Sequence, residues 1–483
     1  MNLHHKQKQG LVLFLIQLIL VLANSFVFAI VWYKFYSEKI YMVPFYAKGD
    51  YLVIAIFLIL YTIVTQLYGG FALTISRISE LVYSQCISLL VTDVLLYLVI
   101  LLLMRKFPNP FPLILSVGVS MIISTLWAKI ANTLANKVYP PKRTLLIYDN
   151  MDAYQSGLDI IRRLSWRFVL VAEVSAIGAE ENIYKMIQEA GVEAVMLCGL
   201  ASSQRNDILK YCIKHEIKAY VRPNIGDFIM SSAKTIQMAN LPVIVCEHSA
   251  PSFFYLATKR MMDIVLSLCG LVVAGPVMIL TAIAVKAYDH GPVIYKQARM
   301  TKAGRIFYIY KFRSMQVNAE QDGIACLAQQ SDQRITAVGK IIRACRIDEL
   351  PQMLNILSGS MSVVGPRPER PEIFEQYQET LPEFGLRLQV KAGLTGYAQV
   401  YGKYNTMPYD KLQMDLMYIA HPSVIEDLKI ILTTIKILFL PESTEGIAAG
   451  QTTAMAQDIV DHDKTDTIYS SEEENEEKTV QNS

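Results

Sequence analysis

Four nearly uncharged apolar runs, Leu11–Tyr33, Tyr51–Tyr68, Ser84–Met104 and Phe111–Ala131, fill the first 131 residues. A helix rises ~1.5 Å per residue, so each run is long enough to cross a hydrocarbon core of about 30 Å. A chain that opens this way is expected to be a multi-pass membrane protein. The first run is too long, and is followed by too many others, to be expected as a cleaved signal peptide. Lys6, Lys8, Arg77, Lys129, Lys137, Lys142 and Arg143 fall on one side of the crossings, against Lys34, Lys39, Lys48, Arg105 and Lys106 on the other. This small excess puts the N-terminus, and after four crossings the rest of the chain, in the cytosol. Asp93 interrupts the third run and reads as an acid turned toward a neighbouring helix, with a proton path as the alternative.

Charge is unevenly spread. Residues 441–483 hold eleven acidic side chains against Lys464 and Lys478, so a formal net charge of +2 conceals −9 in the tail and +11 elsewhere. The tail is too polar to bury a core and is expected to be disordered. A basic body suits anionic head groups or phosphate substrates. The seven cysteines are scattered without a CxxC pair or a Cys/His cluster, which indicates neither a disulfide framework nor a zinc knuckle.

From Arg143 to about His248, RTLLIYD, FVLVAEV, EAVMLCG, KAYVRP and PVIVCEH read as strands, with Gly157–Leu164, Ile183–Ala190 and Arg205–His215 as helices between them. The alternation predicts a doubly wound, Rossmann-like α/β domain. Its first strand runs into Asp149-Asn150-Met151-Asp152, with no G-x-G-x-x-G to admit a pyrophosphate, so a packing or regulatory role is expected.

Met261–Tyr288 is a second kind of apolar segment, carrying Asp263 near its start and Lys286 near its end. Its length permits a fifth crossing. Gly270, Gly275 and Pro276 in its middle favour a bend, because proline lacks the N–H of the helical ladder. A hairpin that enters and leaves one leaflet would keep the remaining chain in the cytosol, provided protein covers the freed backbone groups.

Beyond it the chain becomes basic and rich in turns. Lys311, Arg313, Arg334, Arg343, Arg346, Arg367, Arg370 and Lys391 offer donors for phosphate, and Asp348-Glu349 is the acidic pair among them. On a helix, adjacent carboxylates point ~100° apart, so they suit divided labour rather than a shared proton. Taken alone, the pair reads as salt-bridge partners of Arg343 and Arg346.

Ordered motifs decide between these readings: Lys259-Arg260-x-x-Asp263, Gly291-Pro292-Val293, Lys311-Phe312-Arg313-Ser314-Met315, Asp348-Glu349-Leu350-Pro351-Gln352, Gly365-Pro366-Arg367-Pro368-Glu369 and Gly393-Leu394-Thr395-Gly396. Together they closely resemble the bacterial sugar transferase family, the polyprenyl-phosphate phosphoglycosyltransferases. The four apolar runs and the α/β middle resemble its long form. Two positions depart from the family pattern: Ser360 stands where an acid is usual, and Met300-Thr301 replaces a Val-Gly-like pair.

The resemblance implies a transmembrane domain (1–140), a Rossmann-like domain (141–250), a mainly helical monotopic catalytic domain (251–440) with a re-entrant hairpin at 261–288, and the tail at 441–483. It implies transfer of a sugar 1-phosphate from a UDP-sugar to undecaprenyl phosphate with release of UMP, as the first membrane step of exopolysaccharide, capsule or O-antigen synthesis. Asp348 would attack and hold the sugar phosphate, Glu349 would hold Mg²⁺, and Arg367 would clamp phosphate, with Arg313 and Lys311 as weaker candidates. Lys259 and Arg260 would anchor the hairpin at the head groups, and Gly275-Pro276 would bend it. Asp263 would bind Arg260 or a neighbouring helix. His421 reads as structural, and Val424–Leu440 as an interfacial helix. UDP-sugar, undecaprenyl phosphate and membrane lipids are the expected partners, a homo-oligomer and polysaccharide assembly proteins are compatible ones, and nucleic acid is not expected. The expected location is the bacterial inner membrane, with the catalytic domain in the cytosol. The competing readings are an inactive membrane scaffold or nucleotide-sensing regulator, and a transferase that moves the sugar without its phosphate and releases UDP.

Overall fold

The computed structural model describes residues 3–37, 47–177, 180–238, 241–246, 251–316, 334–402 and 407–438. The acidic tail lies outside the described residues. The described chain clusters into two compact units, Met1–Pro223 and Asn224–Ser483.

In the first unit the four apolar runs form α1 (Leu3–Val31), α2 (Ala47–Leu67), α3 (Ile78–Met104) and α4 (Phe111–Val138). The end of the first run widens into a π-helix, Trp32–Tyr36. Apolar side chains dominate all round these helices, and the few polar ones mark the contacts between them. Asn24 on α1 donates to Tyr61 on α2 (2.8 Å) and Ser124 on α4 (3.2 Å), while the Tyr61 hydroxyl donates to Gln85 on α3 (2.6 Å). Where no water competes, such bonds select which helix faces meet. Asp93 follows the same rule, lying 3.4 Å from the hydroxyl of Ser116 on α4.

The α/β part alternates β1 (Lys142–Tyr148), α5 (Met151–Arg163), β2 (Phe168–Ser175), α6 (Glu180–Glu189), β3 (Ala194–Cys198), α7 (Ser202–Lys214) and β4 (Lys218–Val221). These four strands pair in parallel in the order β2-β1-β3-β4. The turn after β1 is closed by Asn150, whose side chain accepts from the Ala153 N–H (2.8 Å) and so caps α5 itself. The predicted fifth strand exists but belongs elsewhere. After α8 (Ile225–Ser232), β5 (Lys234–Met238) and β6 (Leu241–Val245) form a separate antiparallel hairpin in the second unit.

The second unit continues with one long helix, α9 (Phe253–Asp289), which runs through Pro276. The expected interruption at Gly275-Pro276 is therefore not a break between two helices; Pro276 removes one rung, the bond to the Val272 carbonyl, within a single element. Five helices among the described residues, α1 to α4 and α9, are long and apolar enough to cross a membrane. After α9 come β7 (Ile294–Met300) and β8 (Ile306–Phe312) as an antiparallel hairpin, then α10 (Ala337–Ala344), a 3₁₀ turn at Ile347–Glu349, α11 (Gln352–Ser358), β9 (Ser362–Val364), α12 (Pro371–Thr380), a 3₁₀ segment at Pro382–Gln389, β10 (Gly393–Thr395), α13 (Tyr397–Val400), α14 (Pro408–Ala420) and α15 (Val424–Leu438).

Both halves of α9 pack on this one unit. Gly270 leaves room for Met353 of α11, since a Cβ there would meet its sulfur at 2.8 Å. Val285 is buried with Phe312 and Ile342. Between and around these contacts, Val265, Leu268, Val272, Val273, Ile279, Leu280 and Ile283 are exposed apolar side chains.

Candidate active site

Strand alternation explains how a lysine is brought inside. On β8, Phe307 and Ile309 are buried while Ile306 and Tyr308 are exposed, so Lys311, two residues beyond Ile309, faces inward with them. A buried ammonium needs an anion. Glu349 supplies it, with its Oε1 at 2.9 Å from Lys311 Nζ.

Glu349 and Asp348 sit in the 3₁₀ turn Ile347–Glu349, entered through Arg346 in the left-handed region (φ 54°). The turn follows α10, whose start is capped by Thr336 and pressed against the Ser314 carbonyl. Only a glycine fits at 339, because a Cβ there would lie 1.9 Å from that oxygen. With three residues per turn, adjacent side chains diverge by about 120°, somewhat more than the α-helical spacing predicts. Glu349 turns toward cations: besides Lys311, Arg367 Nη2 lies at 3.3 Å from Oε1 and Arg346 Nη1 at 3.9 Å from Oε2. Asp348 accepts no hydrogen bond from the described residues, although it is only partly exposed.

Their acidities separate accordingly. Burial raises Glu349, but Lys311, Arg367 and Arg346 outweigh it and hold its carboxyl well below the usual range. Burial and the neighbouring Glu349 charge push Asp348 upward, against the pull of Lys311, Arg343 and Arg346. Burial lowers Lys311, with Glu349 opposing. One carboxylate is locked as an anion, and the other is left unbonded beside a group of cations.

The Gly365–Glu369 loop delivers Arg367. Gly365 N–H donates to Thr395 O (2.8 Å), Gly393 N–H to Pro366 O (2.9 Å) and Met300 N–H to Glu369 O (3.0 Å). A Cβ on Gly393 would lie 2.1 Å from the Gly365 nitrogen, so the two glycine-bearing motifs meet backbone to backbone. Buried guanidiniums hold two further carbonyls: Arg387 donates to Arg367 O (3.0 Å) and Arg299 to Pro368 O (3.1 Å). The Arg367 side chain is 41% exposed and can meet a ligand.

The structure thus brings Asp348, Glu349, Lys311 and Arg367 together and places Arg313 elsewhere. Arg313 pairs with Asp289 at the end of α9 and covers Gly291. Lys259 is turned inward onto Asp427 of α15 (3.1 Å) and Tyr418 (3.0 Å), and Arg260 donates to Ile356 O (2.6 Å) and Leu357 O (2.7 Å) at the end of α11. Both cations bind protein rather than standing out as head-group anchors. Asp263 accepts from Ser362 Oγ (3.0 Å) and Val363 N–H (2.9 Å), on β9 rather than on a helix. Ser360 bonds locally to the Asn355 carbonyl (3.0 Å), and His421 is exposed after α14. Sequence reasoning did not single out Arg299, Arg387 or Asp415. The available signal was a charge flanked by apolar residues, as in Leu386-Arg387-Leu388 and Met414-Asp415-Leu416.

Comparison with known proteins bears on this arrangement. A family model described as bacterial sugar transferase matches residues 254–441, from α9 past α15. The UDP-glucose:undecaprenyl-phosphate glucose-1-phosphate transferase of Caulobacter vibrioides is 37% identical over 38% of this chain and 71% of the relative. The chain belongs to the bacterial sugar transferase family.

Within that family, a UDP-N-acetylgalactosamine-undecaprenyl-phosphate N-acetylgalactosaminephosphotransferase of Aeromonas hydrophila is 42% identical over 38% of this chain and 44% of its own length. A UDP-glucose:undecaprenyl-phosphate glucose-1-phosphate transferase of Escherichia coli is 38% identical over 44% of this chain and 47% of its own length. The chain therefore spans about half the length of these curated relatives. The family match contains every residue of the site and leaves the first unit outside it.

Proposed function

We propose that this protein transfers a sugar 1-phosphate from a UDP-sugar to undecaprenyl phosphate, releasing UMP. The observation that carries the reading is the division between adjacent acids: Glu349 held by three cations, Asp348 unbonded beside them. Relatives named as undecaprenyl-phosphate sugar phosphotransferases support it.

In this mechanism an Asp348 oxygen attacks the β-phosphorus of the donor. The bond from that phosphorus to the bridging oxygen breaks, and UMP leaves with the electron pair. An oxygen of the lipid phosphate then attacks the same phosphorus, the acyl phosphate opens, and Asp348 is restored. A carboxylate attacks a phosphodiester only where the phosphoryl charge is screened, and Lys311, Arg346 and Arg367 provide that screen. Arg367 also orients the diphosphate through its paired N–H groups.

The donor set fits a magnesium ion that arrives with its substrate. The described residues contain no group of three or more His, Cys, Asp or Glu placed to hold a metal. Magnesium ordinarily takes one or two carboxylates and completes its shell with phosphate and water. Glu349 Oε2, 3.9 Å from Arg346 Nη1, is the oxygen proposed to hold it. When bound, the ion would neutralise charge on the diphosphate.

We further propose that α9 enters and leaves the cytoplasmic leaflet, making the catalytic part, residues 251–440, monotopic, with α1 to α4 spanning the bacterial inner membrane. The support is that Lys259 and Arg260 at one end, and Asp289 at the other, all bond to the same unit. Purified protein, incubated with Mg²⁺, undecaprenyl phosphate and a panel of UDP-sugars, tests the activity. UMP release with one sugar is the expected result. UDP release would assign transfer of the sugar alone, and no release from any donor would favour an inactive scaffold.

A further inference from the structure

Behind Arg367 lies a group of buried charges that the reaction itself does not use. Arg387, in the 3₁₀ segment Pro382–Gln389, is 2% exposed, and Asp415, on α14, is 1% exposed. Arg387 Nη2 stands 2.7 Å from Asp415 Oδ2 and donates to the Arg367 carbonyl at 3.0 Å. Its Nη1 stands 3.5 Å from Glu369 Oε1, and Arg299 approaches Glu369 from β7 at 4.0 Å. One guanidinium thus links α14, Glu369 and the backbone of the residue whose side chain reaches Glu349.

Such a pair is not explained by stability. Withdrawing two charges from water costs about as much as their attraction returns, and apolar pairs of similar volume usually do better. Burial pushes Asp415 up to about 6, against Arg387 and with Glu369 adding to the rise. A folded-state pKa raised in this way adds stability in acid and loses it as the pH climbs through about 6, so ionised Asp415 works against the fold near neutrality. Position is what the pair provides. A guanidinium held by a carboxylate presents its N–H groups in a fixed fork, and here one nitrogen of that fork, Nη2, both meets Asp415 and donates to Arg367 O.

We propose that Asp415 is a positioning residue: by holding Arg387 against the Arg367 carbonyl, it sets where the Arg367 side chain meets the donor diphosphate. The inference rests on the transferase reading for its substrate, while the clamp itself is a statement about the Gly365–Arg370 loop.

Hydrogen exchange on the full chain, with Asp415→Asn, tests the clamp without any substrate. Amides of 365–370 should exchange about tenfold faster, as an opened local contact implies, and Arg387→Lys, which keeps the charge but loses the fork, should do the same. Unchanged exchange in both variants overturns the proposal. In steady-state assays Asp415→Asn should raise KM for the UDP-sugar about tenfold. It should add nothing in an Arg367→Ala background, because residues acting through one another are not additive. A full-sized effect there would show that Asp415 acts by another route and would also overturn it. A wild-type protein that releases no UMP refutes the transferase reading, and the exchange measurement then decides the clamp alone.

Discussion

Lys311 Nζ lies 2.9 Å from Glu349 Oε1, and this contact joins a strand to one of two adjacent acids on a 3₁₀ turn 38 residues later. Arg367 and Arg346 approach the same acid, at 3.3 and 3.9 Å, whereas Asp348 accepts no hydrogen bond from the described residues. Glu349 is thereby held well below the usual carboxylate range, while burial and the Glu349 charge push Asp348 upward.

Replacing Asp348 with Asn should lower UMP release by roughly 10⁴-fold or more, the scale on which loss of a nucleophile is felt. The side chain keeps nearly its volume, so folding should be unaffected. Wild-type protein given labelled UDP-sugar and Mg²⁺ without lipid should retain label, and the variant should not. Turnover by the variant near the wild-type rate would remove Asp348 from the mechanism.

Lys311→Met should destabilise the catalytic unit by about 2 kcal/mol, because Glu349 loses its nearest charged donor in a largely buried place. Adding Glu349→Gln should recover part of that loss, since no unpaired charge remains. Chemical denaturation of the single and double variants measures both. Equal stability of wild type and Lys311→Met would mean that Arg367 and Arg346 suffice for Glu349.

Covalent labelling should fall with acid earlier than an ordinary carboxylate predicts. Asp348 is raised by burial and by Glu349, and only its ionised form attacks. Labelling is thus complete above its pKa and disappears as the pH falls through it, at a midpoint above the usual value of about 4. Glu349→Gln removes one of the causes, so its midpoint should lie at lower pH. A midpoint that is the same in both proteins would separate the acid limb from Asp348.

Cysteines introduced at Ser252 and His290, in a background without the seven native ones, should both resist a membrane-impermeant thiol reagent in intact cells. Both should react in inverted vesicles. Labelling at 290 in intact cells would make α9 a fifth crossing and would separate the Asp348 site from a cytosolic donor. Pro276→Ala, which restores one rung of the ladder, should lower activity more than expression.

What the sequence determined by itself was local or written in motifs. The four apolar runs became α1 to α4 because a span of eighteen or more apolar residues needs no knowledge of its neighbours to be recognised. Four of the five predicted strands form one parallel sheet, and the ordered motifs pointed to Asp348, Glu349 and Arg367 before any geometry was known. Tertiary structure alone decided which charge meets which. Lys259 and Asp427 are 168 residues apart, Arg387 and Asp415 lie on separate elements, and β6 pairs with β5 instead of the sheet. The reason is physical: a charged side chain reads as exposed until the chain closes around it, and only closure shows that Arg313 is taken by Asp289 while Lys311 is turned onto Glu349.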